Sequence, residues 1–195
     1  RRALTALHGA AAMPYDSESE IEALLRSGAK LEARDSSGRT PLHYAAEATT
    51  YFADSVRALV DAGANVHARD TRGWTPLHCV WQNNNNTAVR MLHDAGAELD
   101  ARTEEEDGRR TPLYMASQRH ASNVVKELLS CGASVNARCT FDKRTPLHAA
   151  VSAGASAIVA HLIANGADVS ARDAAGKTPL HRAVEQERNG VAACV

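Results

Sequence analysis

Large apolar residues recur in pairs along this chain, at Leu24-Leu25, Leu59-Val60, Met91-Leu92, Leu128-Leu129 and Leu162-Ile163. Each pair stands three to five residues ahead of a Gly-Ala dipeptide, at Gly28, Gly63, Gly96, Gly132 and Gly166. An apolar turn followed by glycine predicts a helix that ends on a residue in left-handed conformation. After each Gly-Ala comes an apolar-x-Ala-Arg run: Leu31 to Arg34, Val66 to Arg69, Leu99 to Arg102, Val135 to Arg138 and Val169 to Arg172. That run predicts a short extended segment.

A second signal is locked in phase with the first. Thr40-Pro41-Leu42-His43 returns at Thr75, Thr145 and Thr178, with weaker copies Thr5-Ala6-Leu7-His8 and Thr111-Pro112-Leu113-Tyr114. Threonine is a good N-cap, proline is pre-set for the first helical position, and leucine opens a buried stripe, so each copy predicts a short helix. The steps between copies are 35, 35, 36, 34 and 33 residues, and the distance from each Thr to its Gly is 23, 23, 21, 21 and 21. A fixed period in this range means stacked units that share a core with their neighbours.

With the tetrapeptide, the Gly-Ala helix end and the Ala-Arg run in register, the chain resembles the ankyrin repeat family. The resemblance covers essentially all 195 residues. It implies an all-α solenoid of helix-turn-helix repeats with β-hairpin fingers. It gives one domain with repeats over 1–37, 38–72, 73–108, 109–142, 143–175 and an incomplete 176–195.

Several places depart from the regular unit. Met13-Pro14-Tyr15-Asp16 breaks the first unit, and Thr49-Thr50-Tyr51-Phe52 lengthens the connection in the second. Trp81 replaces a small residue and is expected to be mostly buried, while Asn83 to Asn86 supply a turn and an N-cap. The finger Thr103-Glu104-Glu105-Glu106-Asp107-Gly108 is long and acidic, and reads as a solvated loop. Val191, Ala192, Cys194 and Val195 match the buried phase of a second helix in the last unit. That unit is expected to be the least stable, and the natural chain to continue beyond it.

Composition narrows the function classes. A formal net charge of −1 gives no case for nucleic acid or an anionic membrane, and no apolar run is long enough to span a bilayer. Cys79, Cys131, Cys139 and Cys194 form no C-x-x-C pair and read as free thiols of a reducing compartment, cytoplasmic or nuclear. His43, His78, His148 and His181 recur once per unit, too far apart to converge on one metal ion. Gly176-Lys177-Thr178 lacks the upstream glycine of a phosphate loop, since position 171 is Ala. No catalytic constellation is present, and no cofactor is expected.

Positions that vary between units are free to read a partner. The resemblance implies a concave surface lined by fingers and first helices. On it this chain would present Arg39, Arg72, Trp74, Arg110, Phe141, Arg144 and Lys177 from the fingers. Tyr44, Glu47, Gln82, Met115, Gln118 and Arg119 would come from the first helices. Trp74, Tyr44 and Met115 flanked by arginines have the composition of an interface hot spot, with Trp74 an exposed anchor. Asn136 lies in a context that resembles ankyrin asparagines modified by a cytosolic hydroxylase. The expected function is protein–protein recognition by a monomer, with a protein or peptide partner that the Arg34, Arg69, Arg102, Arg138 and Arg172 column would suit if acidic. The alternative is a recruiting module of a larger enzyme, such as a ubiquitin-ligase subunit or kinase, or the cytoplasmic domain of a channel.

Overall fold

The computed structural model describes residues 4–13, 17–48 and 54–192. The break at Pro14-Tyr15-Asp16 and the connection Thr49 to Phe52 lie outside them. Among the described residues there are eleven α-helices. They are α1 (Ala6–Ala11), α2 (Ser17–Arg26), α3 (Pro41–Glu47), α4 (Asp54–Asp61), α5 (Pro76–Cys79) and α6 (Asn86–Asp94). Then follow α7 (Pro112–Gln118), α8 (Ser122–Ser130), α9 (Pro146–Ser152), α10 (Ser156–Ala164) and α11 (Pro179–Ala192). Odd-numbered helices stack on one another, and even-numbered helices form a parallel second layer. The result is a helical solenoid.

Each first helix starts as its tetrapeptide dictates. Thr40 is extended at φ −90 and ψ 166, Pro41 follows at the first helical position, and His43 Nδ1 accepts the Thr40 backbone N–H at 3.1 Å. Leu42, Leu77 and Leu113 then enter the core at 1%, 1% and 0% exposure. Burying one leucine contributes roughly 1.5–3 kcal/mol, so the column of leucines is a main source of stack stability. The second helices end in Schellman motifs. In α4, Ala64 N–H donates to Leu59 O and Gly63 N–H to Val60 O, both at 2.9 Å, with Gly63 at φ +85. No atom lies within 4 Å of where a Gly63 Cβ would be, so conformation and not space requires glycine there.

No strand occurs among the described residues, so the expected β-hairpin fingers are not confirmed. The regular fingers are loops closed by one backbone bond, such as Asp35 N–H to Arg39 O at 3.0 Å or Asp70 N–H to Trp74 O at 2.9 Å, and the longer acidic finger has two, Thr103 N–H to Arg110 O at 3.1 Å and Arg109 N–H to Glu104 O at 3.2 Å. Neighbouring tips add one bond each, Thr71 N–H to Ser37 O at 2.9 Å and Glu104 N–H to Arg72 O at 2.9 Å. A ladder needs consecutive pairs, and the regular fingers turn back after one. Gly38, Gly73 and Gly176 take positive φ in these turns, and Arg109 (φ 50) and Lys143 (φ 54) do so where the inserted fingers lack the glycine.

Two further differences concern irregular units. The third unit shortens its first helix to α5 and continues as a 3-10 turn, Val80–Asn83, ended by Asn84 at φ 53. Asn85 then caps α6, its side chain accepting Ala88 N–H at 3.1 Å. At the C-terminal end, α11 runs unbroken from Pro179 to Ala192, where a turn and a second helix carrying Val191 and Ala192 were expected. No proline interrupts that stretch, and Glu185, Gln186, Glu187 and Arg188 are residue types of high helix propensity. Cys194 and Val195 lie outside the described residues.

Candidate protein-interaction face

In the inner units the Thr and His of the repeated tetrapeptide are buried, while in the last copy Leu180 is 72% exposed and His181 is exposed. Thr40, His43, Thr75, His78, Thr145 and His148 are all at most 5% exposed. Each histidine works between two units. His43 takes the Thr40 N–H on Nδ1 and donates from Nε2 to Trp74 O at 2.9 Å. His78 reaches Arg110 O at 3.2 Å, and His148 reaches Lys177 O at 3.1 Å. Both ring nitrogens are used in the neutral form, and burial drives the His43 and His78 pKa values down to about 4.

Around this frame the first-helix and finger side chains form two grooves. One, of about 310 Å³, is lined by Ala12, Arg39, Tyr44, Glu47, Ala48, Gln82 and Asn83. In it the Arg39 guanidinium lies 4.6 Å from the Tyr44 ring centre, pairs with Glu47, and approaches Cys79 Sγ at 3.7 Å. Tyr44 donates its hydroxyl to Asp35 at 2.8 Å and meets His8 edge-on at 5.3 Å. Asn83 donates to the Glu47 carbonyl. The second groove, of about 320 Å³, lies between two fingers and includes Glu105, Glu106, Asp107, Arg110, Cys139, Phe141 and Asp142. Phe141 is 87% exposed at its rim, and the Arg110 guanidinium lies 5.7 Å from the Tyr114 ring centre.

Thus Arg39, Tyr44, Glu47 and Gln82 share one groove, and Arg110 and Phe141 share the other. Gln118 and Arg119 are exposed, Arg119 lying 4.9 Å from the ring centre of half-buried Trp81. Arg144 pairs with Asp142 at 3.3 Å, and Lys177 pairs with Glu185. Trp74 and Met115 depart from expectation. Trp74 is 7% exposed, because the finger that should have left it open folds onto it. Asp107 accepts its Nε1–H at 2.5 Å, and Arg72 lies over the ring at 3.7 Å. Met115 is 4% exposed, since the residue after the tetrapeptide packs inward, as Cys79 (0%) and Ala149 (3%) also do.

The acidic finger is therefore a structural lid as well as a solvated loop. Its 3-10 turn, Glu105–Asp107, sets Asp107 over Trp74, and Glu104 crowds Gly73 so closely that a Cβ there would sit 2.8 Å from Glu104 N. Sequence reading missed this because Trp74 and Asp107 are 33 residues apart, with no local signal between them. It also missed Tyr114, which packs with Cys139 and Ala149. Burial pushes both the Tyr114 hydroxyl and the Cys139 thiol up to about 12. Asn136 is exposed but engaged at both ends, donating to Gly166 O at 3.1 Å and accepting Asp168 N–H at 2.8 Å.

Comparison with known families accounts for the frame. Residues 2–70 and 48–139 match the model for ankyrin repeats in three copies, and residues 128–183 match the model for ankyrin repeats in many copies. The chain belongs to the ankyrin repeat family. No curated protein matches it. Ankyrin repeats generally mediate protein–protein interaction, and the solenoid built here is a scaffold of that kind. Among the described residues of this ankyrin repeat chain, no three His, Cys, Asp or Glu side chains gather as a metal site would require, and no helix is long and apolar enough to cross a membrane. Cys79 is fully buried, and burial raises its thiol to about 12, so it is not a reactive thiolate at neutral pH.

Proposed function

We propose that this ankyrin repeat chain is a recognition module that takes a partner protein on the face made by its fingers and first helices. The binding unit is one chain, and no chemistry is carried out on the partner. The observation that supports this reading most is the groove over α3 and the Val80–Asn83 turn. There Arg39, Tyr44 and Glu47 of the second unit and Gln82 of the third surround one space of about 310 Å³. Its polar groups are already held in place by the Arg39–Glu47 pair and the Tyr44–Asp35 bond, which lowers the entropy lost on binding. Exposed Gln82 and the open edge of Tyr44 supply the contacts that differ from unit to unit. Phe141 extends the same surface as an apolar anchor, of a kind that accounts for much of the energy in protein interfaces.

The test compares partners captured by the wild type and by a Tyr44→Ala, Gln82→Ala, Phe141→Ala variant whose melting is unchanged. At least one partner captured by the wild type should be lost, with affinity for it reduced at least tenfold. Capture of the same partners with equal affinity would overturn the reading.

A further inference from the structure

The Arg34, Arg69, Arg102, Arg138 and Arg172 column is more than a repeated sequence feature. All five side chains are exposed. The residue after each one, Asp35, Asp70, Thr103, Cys139 or Asp173, is instead buried at 7% or less. The three aspartates in that set would neutralise the column if they faced it, but they are turned into the fingers. Asp35 accepts Ser37 N–H at 2.8 Å and Arg39 N–H at 2.9 Å. Asp70 accepts Arg72 N–H at 2.8 Å and Trp74 N–H at 2.9 Å. Asp173 accepts Ala175 N–H and Lys177 N–H, both at 2.9 Å. Among the described residues none of the five guanidiniums is in an ion pair, whereas Arg39, Arg110, Arg144 and Arg182 all are.

The column is also held in register. Arg34 Nη1 donates to Gly38 O and to Arg69 O, both at 2.7 Å. Arg69 Nη1 donates to Arg102 O at 2.6 Å, and Arg102 Nη1 to Arg138 O at 2.7 Å. The first three rungs are thus each tied to the backbone of the next, as far as Arg138, and Arg172 Nη1 is held by Gly176 O in its own finger at 2.8 Å. These bonds use Nη1, and Nη2 and Nε make no hydrogen bond found among the described residues. Fixed spacing, exposed donors and absent counter-charge together describe a ladder that lacks its anions.

We propose that this ladder is a docking strip for an acidic segment of a partner protein, in polyproline II conformation with a carboxylate at every third residue. Stacked helices lie about 10 Å apart, which sets the spacing of the rungs. A polyproline II chain rises about 3.1 Å per residue with three residues per turn, so every third side chain returns to the same face after about 9.3 Å. A β-strand does not match as well, because its side chains alternate faces and the third residue points away. Guanidinium groups suit the occupant, since they engage carboxylates through two parallel bonds. The proposal rests on the reading of the chain as a protein-binding module and adds a surface distinct from the groove at Tyr44.

Fluorescence anisotropy at low salt tests it, with two labelled peptides of the same composition. One is periodic, the triplet Glu-Pro-Pro repeated five times; the other is a block peptide, five glutamates followed by ten prolines. The periodic peptide should bind at least tenfold more tightly, and binding should weaken as salt rises. Replacing Arg34, Arg69, Arg102 and Arg172 by Gln should weaken it at least tenfold, while the same positions as Lys, which keep the charge but not the paired donors, should fall between the Gln set and the wild type. Because the Gln set also removes backbone bonds, Arg138→Glu is a second probe, as Arg138 is tied through its carbonyl alone; it should weaken binding about fivefold without lowering the melting temperature. Equal binding of the two peptides, indifference to Arg138→Glu, or tighter binding of a single-stranded oligonucleotide would overturn the proposal. Tyr44→Ala should leave peptide binding unchanged; loss there would place the peptide in the groove, which overturns the ladder and leaves the groove reading standing.

Discussion

Two junctions in the stack solve one problem in different ways. Between the second and third units, His43 satisfies the Thr40 N–H and the Trp74 carbonyl, and is itself fully buried. Between the fourth and fifth, Tyr114 stands at the histidine position, and Thr111 Oγ1 accepts the Tyr114 N–H at 3.3 Å. There the ring packs against Cys139 and Ala149, and the Tyr114 side chain hydrogen-bonds that of Cys139. One junction is a polar lock that works in a single protonation state. The other is an apolar lock whose hydroxyl does not ionise near neutral pH, since burial raises it to about 12. Leaving a buried donor or acceptor unmet costs roughly 1–3 kcal/mol, so the polar junctions are the more sensitive to change.

The largest expected effect is acid destabilisation at the histidine junctions. His43 and His78 titrate near 4 when folded and near 6.5 when unfolded, because burial disfavours the charged ring. The unfolded state therefore binds protons first as pH falls. Stability is fully present above about pH 6.5 and is lost between there and about pH 4, on the order of 3 kcal/mol per histidine. Urea midpoints at pH 7 and pH 4.5 measure this. His78→Tyr, which copies the Tyr114 junction, should flatten the dependence; a pH profile parallel to the wild type would break the comparison.

Next in size is Trp74→Ala. The His43 bond to the carbonyl of residue 74 survives this change, so it isolates side-chain packing at a polar junction. Loss of a 7% exposed indole held by Asp107 and Arg72 should cost about 3 kcal/mol. Chemical denaturation gives the value, and a cost under about 1 kcal/mol would mean the acidic finger does not hold the ring in solution.

The smallest effect is expected at the apolar lock. Tyr114→Phe keeps the ring against Cys139 and Ala149 and removes one hydroxyl, which should cost about 1 kcal/mol or less. Thermal melting checks this, and a loss above about 2 kcal/mol would show that the junction depends on the hydroxyl after all.

Much of the frame could be read from the chain alone. Thr-Pro-Leu-His starts a helix for local reasons, and Gly63 ends one because a single residue must take positive φ. Interactions of that kind span a few residues, so they are written in adjacent letters. The same holds for Asn85, whose cap on α6 lies three residues from its partner. The candidate face was legible in part: Arg39, Tyr44, Glu47 and Gln82 do line one groove.

What only the tertiary structure decided lies between units. Trp74 was buried by Asp107, Arg39 found Glu47 and Cys79, and the finger aspartates turned away from the arginine ladder. A period fixes which positions face a neighbour, but not which side chain from the neighbour arrives there. That depends on loop length, and the inserted finger between Thr103 and Arg110 moved a carboxylate onto an indole that the regular unit would have left open. In a one-dimensional stack, local sequence sets each unit, and the exposure of a side chain is set by the unit next to it.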